Sequence, residues 1–172
     1  MFTFILENFD YAPRRVMGLL AFICAAMLAF GLYLQHALGL EPCPMCIVQR
    51  EVFVLVAVVA AISGFLKGRT AHITGGVLLA VLAALGAFVA ARQSWLQLNP
   101  PEAFSCGRDL YGMIENFPLS RVIPMVFKGS GDCSKVDWTF LGGSIANWSF
   151  LCFCCVFCVA VVMVSRRKKA AN

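Results

Sequence analysis

Four long runs without charged residues constrain this chain more than any other feature of its sequence. Residues 16–34 and 73–91 each give nineteen positions without Asp, Glu, Lys or Arg, and 139–165 is also free of charge. Residues 52–66 form a shorter run, which 47–49 extend by about one turn. About 20 apolar helical residues cross a hydrocarbon core of about 30 Å. The sequence therefore predicts an all-α membrane protein built as a bundle of four transmembrane helices. The predicted spans are 16–35, 47–66, 73–92 and 144–164.

The overall composition agrees with a lipid environment and argues against a nucleic-acid partner. Hydrophobic residues make up 60% of the 172 positions and charged residues 13%, whereas a soluble domain carries about 25% charged residues. The net charge of +5 does not come from a basic face interleaved with aromatic side chains, as binding to nucleic acid requires. We therefore interpret residues 1–172 as a single membrane domain without a nucleic-acid partner.

The basic residues at the ends of the runs predict the orientation of the bundle. The N-terminal segment, the short connection at 67–72 and the C-terminal tail carry eight of the fourteen Lys and Arg residues. In a four-helix bundle these three segments lie on one side, and the positive-inside rule places that side in the cytoplasm. Both termini are thus predicted to be cytoplasmic, with two loops, 36–46 and 93–143, on the outer side. The eight residues are Arg14, Arg15, Lys67, Arg69, Arg166, Arg167, Lys168 and Lys169.

The nine cysteines fall into two groups. Four lie in the two predicted outer loops, at Cys43, Cys46, Cys106 and Cys133. Thiols in watery loops outside the cytosol are candidates for disulfides. The others lie inside apolar runs, where a thiol acts mainly as a small hydrophobic side chain, and we predict no metal cluster among them. These five are Cys24, Cys152, Cys154, Cys155 and Cys158.

The segment Cys43-Pro-Met-Cys46 is a C-x-x-C motif where the first outer loop enters the second span. Haem attachment would require His after the second Cys, and Ile47 stands there. A structural zinc site requires four ligands, which could come from Cys106 and Cys133, and zinc remains a weaker alternative. Pro44 suits the first turn of a helix. Both sulfurs would then lie at a helix N-terminus, where the helix dipole favours a thiolate.

Arg50 lies four residues after Cys46, about one helical turn along the same face. A charged side chain near the membrane boundary is costly and is usually paired or functional. One interpretation pairs it with the adjacent Glu51 or with lipid headgroups. The other places its guanidinium beside an anion next to Cys46, which is either the thiolate itself or an oxygen of a reduced quinone.

These residues together carry a family resemblance. The string Cys43-Pro-Met-Cys46-Ile-Val-Gln-Arg50 resembles the C-x-x-C-x-x-x-R signature of the DsbB family. Trp95-Leu-Gln-Leu-Asn-Pro followed by Cys106 is similar to the start of that family's second periplasmic loop. Pro118-Leu-Ser, Gly131-Asp-Cys133 and Trp138-Thr-Phe-Leu-Gly142 are similar to its end. The similarity covers nearly the whole chain, and all four loop cysteines fall at the family's positions.

The resemblance implies a thiol:quinone oxidoreductase of the bacterial inner membrane, with its active cysteines on the periplasmic side. Cys106 and Cys133 would form the disulfide that meets a reduced DsbA-type periplasmic thiol oxidase. Electrons would then pass to Cys43 and Cys46, and from Cys46 to the membrane quinone pool. Ubiquinone is the expected quinone, with menaquinone as the alternative. Arg50 would stabilise the charged complex.

One position departs from the family. A His often stands one turn before Leu-Gln-Leu and is thought to help bind quinone, and here the matching residue is Gln93. An amide can donate a hydrogen bond to a quinone carbonyl, but it cannot carry a proton at neutral pH. The expected quinone site is therefore Cys46, Arg50 and Gln93.

Three other interpretations remain at this stage. The chain could be a DsbB paralogue with a dedicated partner, or an enzyme similar to vitamin K epoxide reductase, although the order of motifs fits the latter less well. It could also be a non-catalytic membrane protein whose loops are stapled by disulfides. A two-residue disulfide loop is a weak staple because it removes little chain entropy.

Overall fold

Long apolar helices account for most of the structure, a computed structural model that describes residues 13–39, 42–66, 68–99, 134, 136 and 138–169. The described residues form four helices and one small antiparallel sheet. The helices are α1 (Pro13–Leu38), α2 (Pro44–Phe65), α3 (Arg69–Leu98) and α4 (Ile145–Lys169), and the strands are β1 (Thr139–Phe140) and β2 (Gly143–Ser144).

Each of the four helices contains a stretch long and apolar enough to cross a membrane. Large apolar side chains cover the outside of the bundle, among them Phe22, Phe65 and Phe88, which are 72%, 79% and 70% exposed. A soluble monomer does not expose apolar surface on this scale, but lipid solvates it. The prediction of a four-helix membrane bundle is therefore confirmed, and the chain is a multi-pass membrane protein.

Small residues allow the helices to approach closely, as is common in membrane bundles. The closest packing joins α1 to α2, α2 to α3 and α3 to α4. A Cβ atom added to Gly75 in α3 would collide with the side chain of Ser63 in α2. One added to Gly86 would collide with the ring of Phe153 in α4, at 2.5 Å from its nearest carbon.

The centre of the bundle is a cluster of apolar side chains from all four helices. Phe53 of α2 stacks on Phe153 of α4, with ring centroids 4.1 Å apart and an angle of 16° between the planes. The missing side chain of Gly86 makes room for the second ring. Above this stack, toward the N-terminus of α2, the interior becomes polar.

One boundary next to the site differs from the sequence prediction. The second outer loop was predicted to begin at Gln93, but α3 continues through that residue to Leu98. Arg92 ends the charge-free run, yet it is exposed and does not interrupt the helix, whereas Gln93 is buried. A charged residue on an outer face ends an apolar run without ending a helix. Gln93 is therefore a helical residue.

The end of the predicted loop contains a hairpin that the sequence analysis did not anticipate. Thr139 pairs with Ser144 and Phe140 with Gly143. Leu141 and Gly142 between them have φ angles of 50° and 79°, the positive values at both central positions that a type I′ turn requires. The hairpin leads directly into α4.

Candidate active site

The first turn of α2 is built by the C-x-x-C motif itself. Cys43 is the N-cap residue, with φ −75° and ψ 160°, and Pro44 is the first helical residue. Proline suits this position because its missing N–H would have no helical partner. The backbone N–H of Cys46 donates to Sγ of Cys43 at 3.3 Å. The motif thus takes the helix-capping geometry that the sequence predicts, with a sulfur in place of the usual capping oxygen.

The two sulfurs face each other at the start of this helix. Sγ of Cys43 and Sγ of Cys46 are free thiols 2.7 Å apart and in hydrogen-bond contact. The hydrogen bond to Cys46, together with burial, raises the pKa of the Cys43 thiol. The two thiols thus form one hydrogen-bonded pair at the start of α2.

Two buried glutamine side chains lie next to the sulfurs, one in contact with them and the other behind it. Nε2 of Gln93 donates to Sγ of Cys43 at 3.3 Å and to Sγ of Cys46 at 3.2 Å. Oε1 of Gln93 in turn accepts a hydrogen bond from Nε2 of Gln49. Gln49 and Gln93 are each only 3% exposed. The cysteine pair therefore faces N–H donors.

Arg50 joins α2 to α1 at the same end of the bundle. Its Nη1 donates to Oε1 of Gln35, and its Nη2 donates to the backbone oxygen of Gly31 at 3.2 Å. The predicted alternative partner, Glu51, is exposed. These hydrogen bonds hold the guanidinium on the wall of the cavity that Cys46 also lines.

A cavity of about 670 Å³ opens beside the cysteine pair. Cys43, Cys46, Arg50 and Gln93 line it, so the structure brings four of the six predicted site residues together. Most of the remaining wall is apolar, which is typical of a small-molecule site with a few placed polar groups. Its aromatic wall consists of Phe30, Phe53, Trp138, Phe140 and Trp148.

The hairpin supplies part of that aromatic wall. Trp138 makes an edge contact with Phe30 of α1 and stacks on Phe140, with centroid distances of 5.6 Å and 6.0 Å. Nε1 of Trp148 donates to the backbone oxygen of Phe140 at 3.0 Å. The hairpin thus bridges α1 and α4 across the mouth of the cavity.

Comparison with known proteins identifies the family. The sequence profile of the family described as Disulfide bond formation protein DsbB matches residues 13–163. The chain belongs to the DsbB family. It is 65% identical to Disulfide bond formation protein B of a Polaromonas species over 161 residues, which is 94% of this chain and 96% of the relative. It is 64% identical to the protein of the same description from Polaromonas naphthalenivorans, covering 90% and 93% of the two chains. The protein of Paracidovorax citrulli is 61% identical, covering 95% and 93%.

Membership of the DsbB family confirms the resemblance read from the sequence and gives the broad activity. The chain is a disulfide-forming oxidoreductase of the membrane, with a function in disulfide bond formation. Of the predicted site residues, Cys106 and Cys133 lie outside the described residues. The described part of the site is therefore the Cys43–Cys46 pair with its surroundings.

Sequence reasoning missed three polar residues of this DsbB-family site. Gln49 contacts Gln93, Gln35 accepts from Arg50, and Gln97 accepts a hydrogen bond from Oγ of Ser144 at 2.6 Å. Their signal in the sequence was an amide side chain within or next to an apolar run, which is costly in a membrane and therefore points to a partner. The spacing of Gln49, three residues after Cys46, was a second signal because it places both on one helical face.

The five other cysteines occupy ordinary packing positions. Cys24 is 1% exposed in the central cluster, and Cys152 packs against that cluster and also lines the cavity. Cys155 and Cys158 are exposed on the outside of α4. That these five cysteines are not needed for catalysis stays a prediction.

Proposed function

We propose that this DsbB-family protein reoxidises a periplasmic DsbA-type dithiol oxidase and passes the electrons through two cysteine pairs to a membrane quinone. The observation that carries this proposal is the placement of Cys46 and Arg50 on the wall of one largely apolar cavity within a membrane bundle. A thiol that must react with a lipid-soluble acceptor needs such a place, and a thiol that only staples a loop does not.

The relay consists of two thiol–disulfide exchanges and a final two-electron oxidation. A reduced DsbA-type partner attacks the Cys106–Cys133 disulfide, so that the partner becomes a disulfide and Cys106 and Cys133 become a dithiol. That dithiol then reduces the Cys43–Cys46 disulfide in the same manner. Each exchange proceeds by attack of a thiolate on a disulfide sulfur. The reduced Cys43–Cys46 pair then gives up two electrons and two protons, and its disulfide is restored.

The quinone is the final acceptor of those two electrons and two protons. A DsbA-type protein is a strong oxidant because its reduced form is stabilised, so its reoxidation needs a still stronger acceptor. The residues around the cavity fit a quinone: flat aromatic side chains line one wall, and Arg50 and Gln93 provide donors beside Cys46. Ubiquinone is the proposed acceptor, with menaquinone as the alternative.

The guanidinium of Arg50 stabilises the negative charge that passes from the sulfur to the acceptor. Its guanidinium is held by the carbonyl oxygen of Gly31 and the amide oxygen of Gln35, both neutral groups. The positive charge is therefore not cancelled by a carboxylate in these contacts and remains available to an anion in the cavity. Charge-assisted hydrogen bonds are about twice as strong as neutral ones.

The proposal places the protein in the bacterial inner membrane with the cysteine pairs on the periplasmic side. Residues 1–14, 67–72 and 165–172 are then cytoplasmic. Alkaline phosphatase, which is active only outside the cytoplasm, should be inactive when fused after residue 170 and active when fused after residue 110. The opposite pattern would reject this orientation.

The direct test is anaerobic mixing of the purified full-length protein with a reduced DsbA-type protein and a soluble quinone analogue. Quinone absorbance should fall in step with the appearance of the partner's disulfide, one quinone for each disulfide. Formation of the partner's disulfide without quinone reduction would show that another acceptor is used. No reaction with either quinone class would reject the proposal.

A further inference from the structure

The orientation of the Gln93 amide decides whether its N–H donors or its carbonyl oxygen face the two sulfurs. A glutamine side chain carries a carbonyl oxygen that accepts and an NH2 group with two hydrogens that donate. In the structure, NH2 points at both sulfurs, at 3.3 Å and 3.2 Å, and the oxygen points away from them. A half-turn of the amide would reverse this and place a partial negative charge against the sulfurs. The site therefore needs something to hold the amide in this direction.

Gln49 is the residue placed to do so. Its Nε2 donates to the oxygen of Gln93, which leaves the NH2 group of Gln93 directed at the sulfurs. Both side chains are 3% exposed, so bulk water cannot replace either hydrogen bond at low cost. Gln49 lies on α2, one turn after Cys46, and Gln93 lies on α3. The close packing of α2 on α3 brings the two amides together.

We propose that Gln49 is a positioning residue that fixes the amide of Gln93 with its NH2 group toward both sulfurs, and thereby stabilises the thiolate form of the Cys43–Cys46 pair. The inference deepens the proposed function, because it concerns the same pair acting as a redox centre. Gln49 touches neither sulfur in the contacts described above and acts through Gln93.

The expected consequence is a more oxidising cysteine pair. Any donor that favours the thiolate favours the reduced form over the disulfide, and a pair whose reduced form is stabilised is a stronger oxidant. It also follows that the two hydrogens of Gln93 are engaged by sulfur in this arrangement. Gln93 then acts on the electron-donating sulfur, and Arg50 is the proposed donor to the acceptor.

The test uses full-length protein in detergent with quinone removed, and it compares Gln49→Met, Gln93→Met and the double variant. Methionine keeps the length of the side chain and removes the amide. Two quantities are measured: the equilibrium of the Cys43–Cys46 pair against dithiothreitol, and the iodoacetamide alkylation rate of the reduced pair at pH 7, located by peptide mass spectrometry. Alkylation reports thiolate, because the thiolate is the nucleophile.

Each single variant should shift the equilibrium toward the disulfide and slow alkylation, by roughly ten- to a hundredfold for the loss of one hydrogen bond to a charged group. Because Gln49 acts through Gln93, the double variant should be no worse than Gln93→Met alone. Asn99→Leu is the control, since it removes an exposed amide at the end of α3 whose hydrogen bond goes to the backbone oxygen of Trp95. It should leave both quantities unchanged.

An isosteric variant guards against a simple packing defect. In Gln49→Glu burial favours the protonated side chain, which can still donate to the oxygen of Gln93, whereas the ionised side chain can only accept and turns the NH2 group of Gln93 toward α2. Compared with wild type at the same pH, alkylation should therefore fall as the pH is raised and the carboxyl group ionises, and this fall should shrink in the Gln93→Met background. Unchanged alkylation in Gln49→Met, or a double variant whose effect equals the product of the two single effects, would overturn the inference. These measurements contain no quinone or DsbA-type partner, so they can fail or succeed independently of the proposed electron route.

Discussion

The first turn of α2 and the middle of α4 both carry cysteines at close spacing in apolar sequence, but their surroundings differ. Cys43 and Cys46 contact each other, two buried amides lie against or behind them, and Arg50 follows one turn later. The cysteines of α4 project from different faces of one helix, and Cys155 and Cys158 are exposed toward the region of lipid. The sulfur atom is the same in both regions. The contacts around the sulfur atoms differ, and under our proposal this difference separates a redox pair from small apolar side chains.

The difference teaches that buried amide groups and a guanidinium gather beside the one cysteine pair that, under our proposal, carries negative charge. The α2 end of the cavity contains the amides of Gln35, Gln49 and Gln93 and a guanidinium. Helix α4 presents sulfur mainly to apolar neighbours, where an uncompensated thiolate would be costly. Four predictions, from the largest expected effect to the smallest, test this contrast.

Removing one sulfur of the α2 pair should have the largest effect. In Cys46→Ala, anaerobic quinone reduction with a reduced DsbA-type partner should fall to the uncatalysed background, because no disulfide can re-form at Cys43. Cys158→Ala on α4 removes an exposed sulfur and serves as the control, with turnover retained. Substantial quinone reduction by Cys46→Ala would show that another thiol donates the electrons.

Removing the charge next to the pair should have the second largest effect. Arg50→Met should slow quinone reduction by about ten- to a hundredfold, because a hydrogen bond to a charged group contributes about 1.5–3 kcal/mol. Stopped-flow exchange between the Cys106–Cys133 pair and the reduced partner, with quinone absent, should remain nearly unchanged. Equal losses in both reactions would mean that Arg50 holds the fold together.

Arg14 offers a matched control for Arg50. Its Nε and Nη2 donate to the backbone oxygens of Gly64 and Phe65, at 2.9 Å and 3.3 Å, so it also joins α1 to α2 by hydrogen bonds to carbonyl groups. It lies near the opposite end of α2, away from the cysteines. Arg14→Met should therefore affect stability without the selective loss of quinone reduction.

A steric change far from the sulfurs should alter stability and leave the chemistry intact. Gly75→Ala places a methyl group against Ser63 and should destabilise the bundle by about 1–3 kcal/mol, a typical cost of overpacking. The matched variant Gly18→Ala adds the same methyl group to α1, where no atom lies within 4 Å, and should not lower the midpoint of thermal unfolding. Equal midpoints for the two variants would contradict the close α2–α3 contact.

The smallest effect is expected from the remaining cysteines. Replacing Cys24, Cys152, Cys154, Cys155 and Cys158 together by Ala or Ser should leave oxidase turnover within a few-fold. Cys24 is buried, so some loss of thermal stability is expected from the small cavity. Loss of turnover with normal expression would show that a thiol in the apolar runs takes part, and Cys152, which lines the cavity, would be the first to examine singly.

The sequence by itself determined the number of helices and the helix start at Pro44, because charge-free length and proline stereochemistry are local properties. It also singled out Cys46 and Arg50 as neighbours, since residues four apart on a helix share a face. It misplaced Gln93 in a loop and gave no role to Gln49. The predicted span ends at Arg92 because the run of uncharged residues ends there, although the helix continues to Leu98.

Only the tertiary structure decided which polar groups meet the sulfurs. Gln49 and Gln93 are 44 positions apart and lie on different helices, so their contact depends on how closely α2 packs on α3. Small residues along the helix pair, such as Gly75 opposite Ser63 near the other end, allow the close approach, and no pattern near the cysteines predicts it. Periodicity fixes what lies on one face of one helix. The direction of an amide between two helices depends on the packing of both.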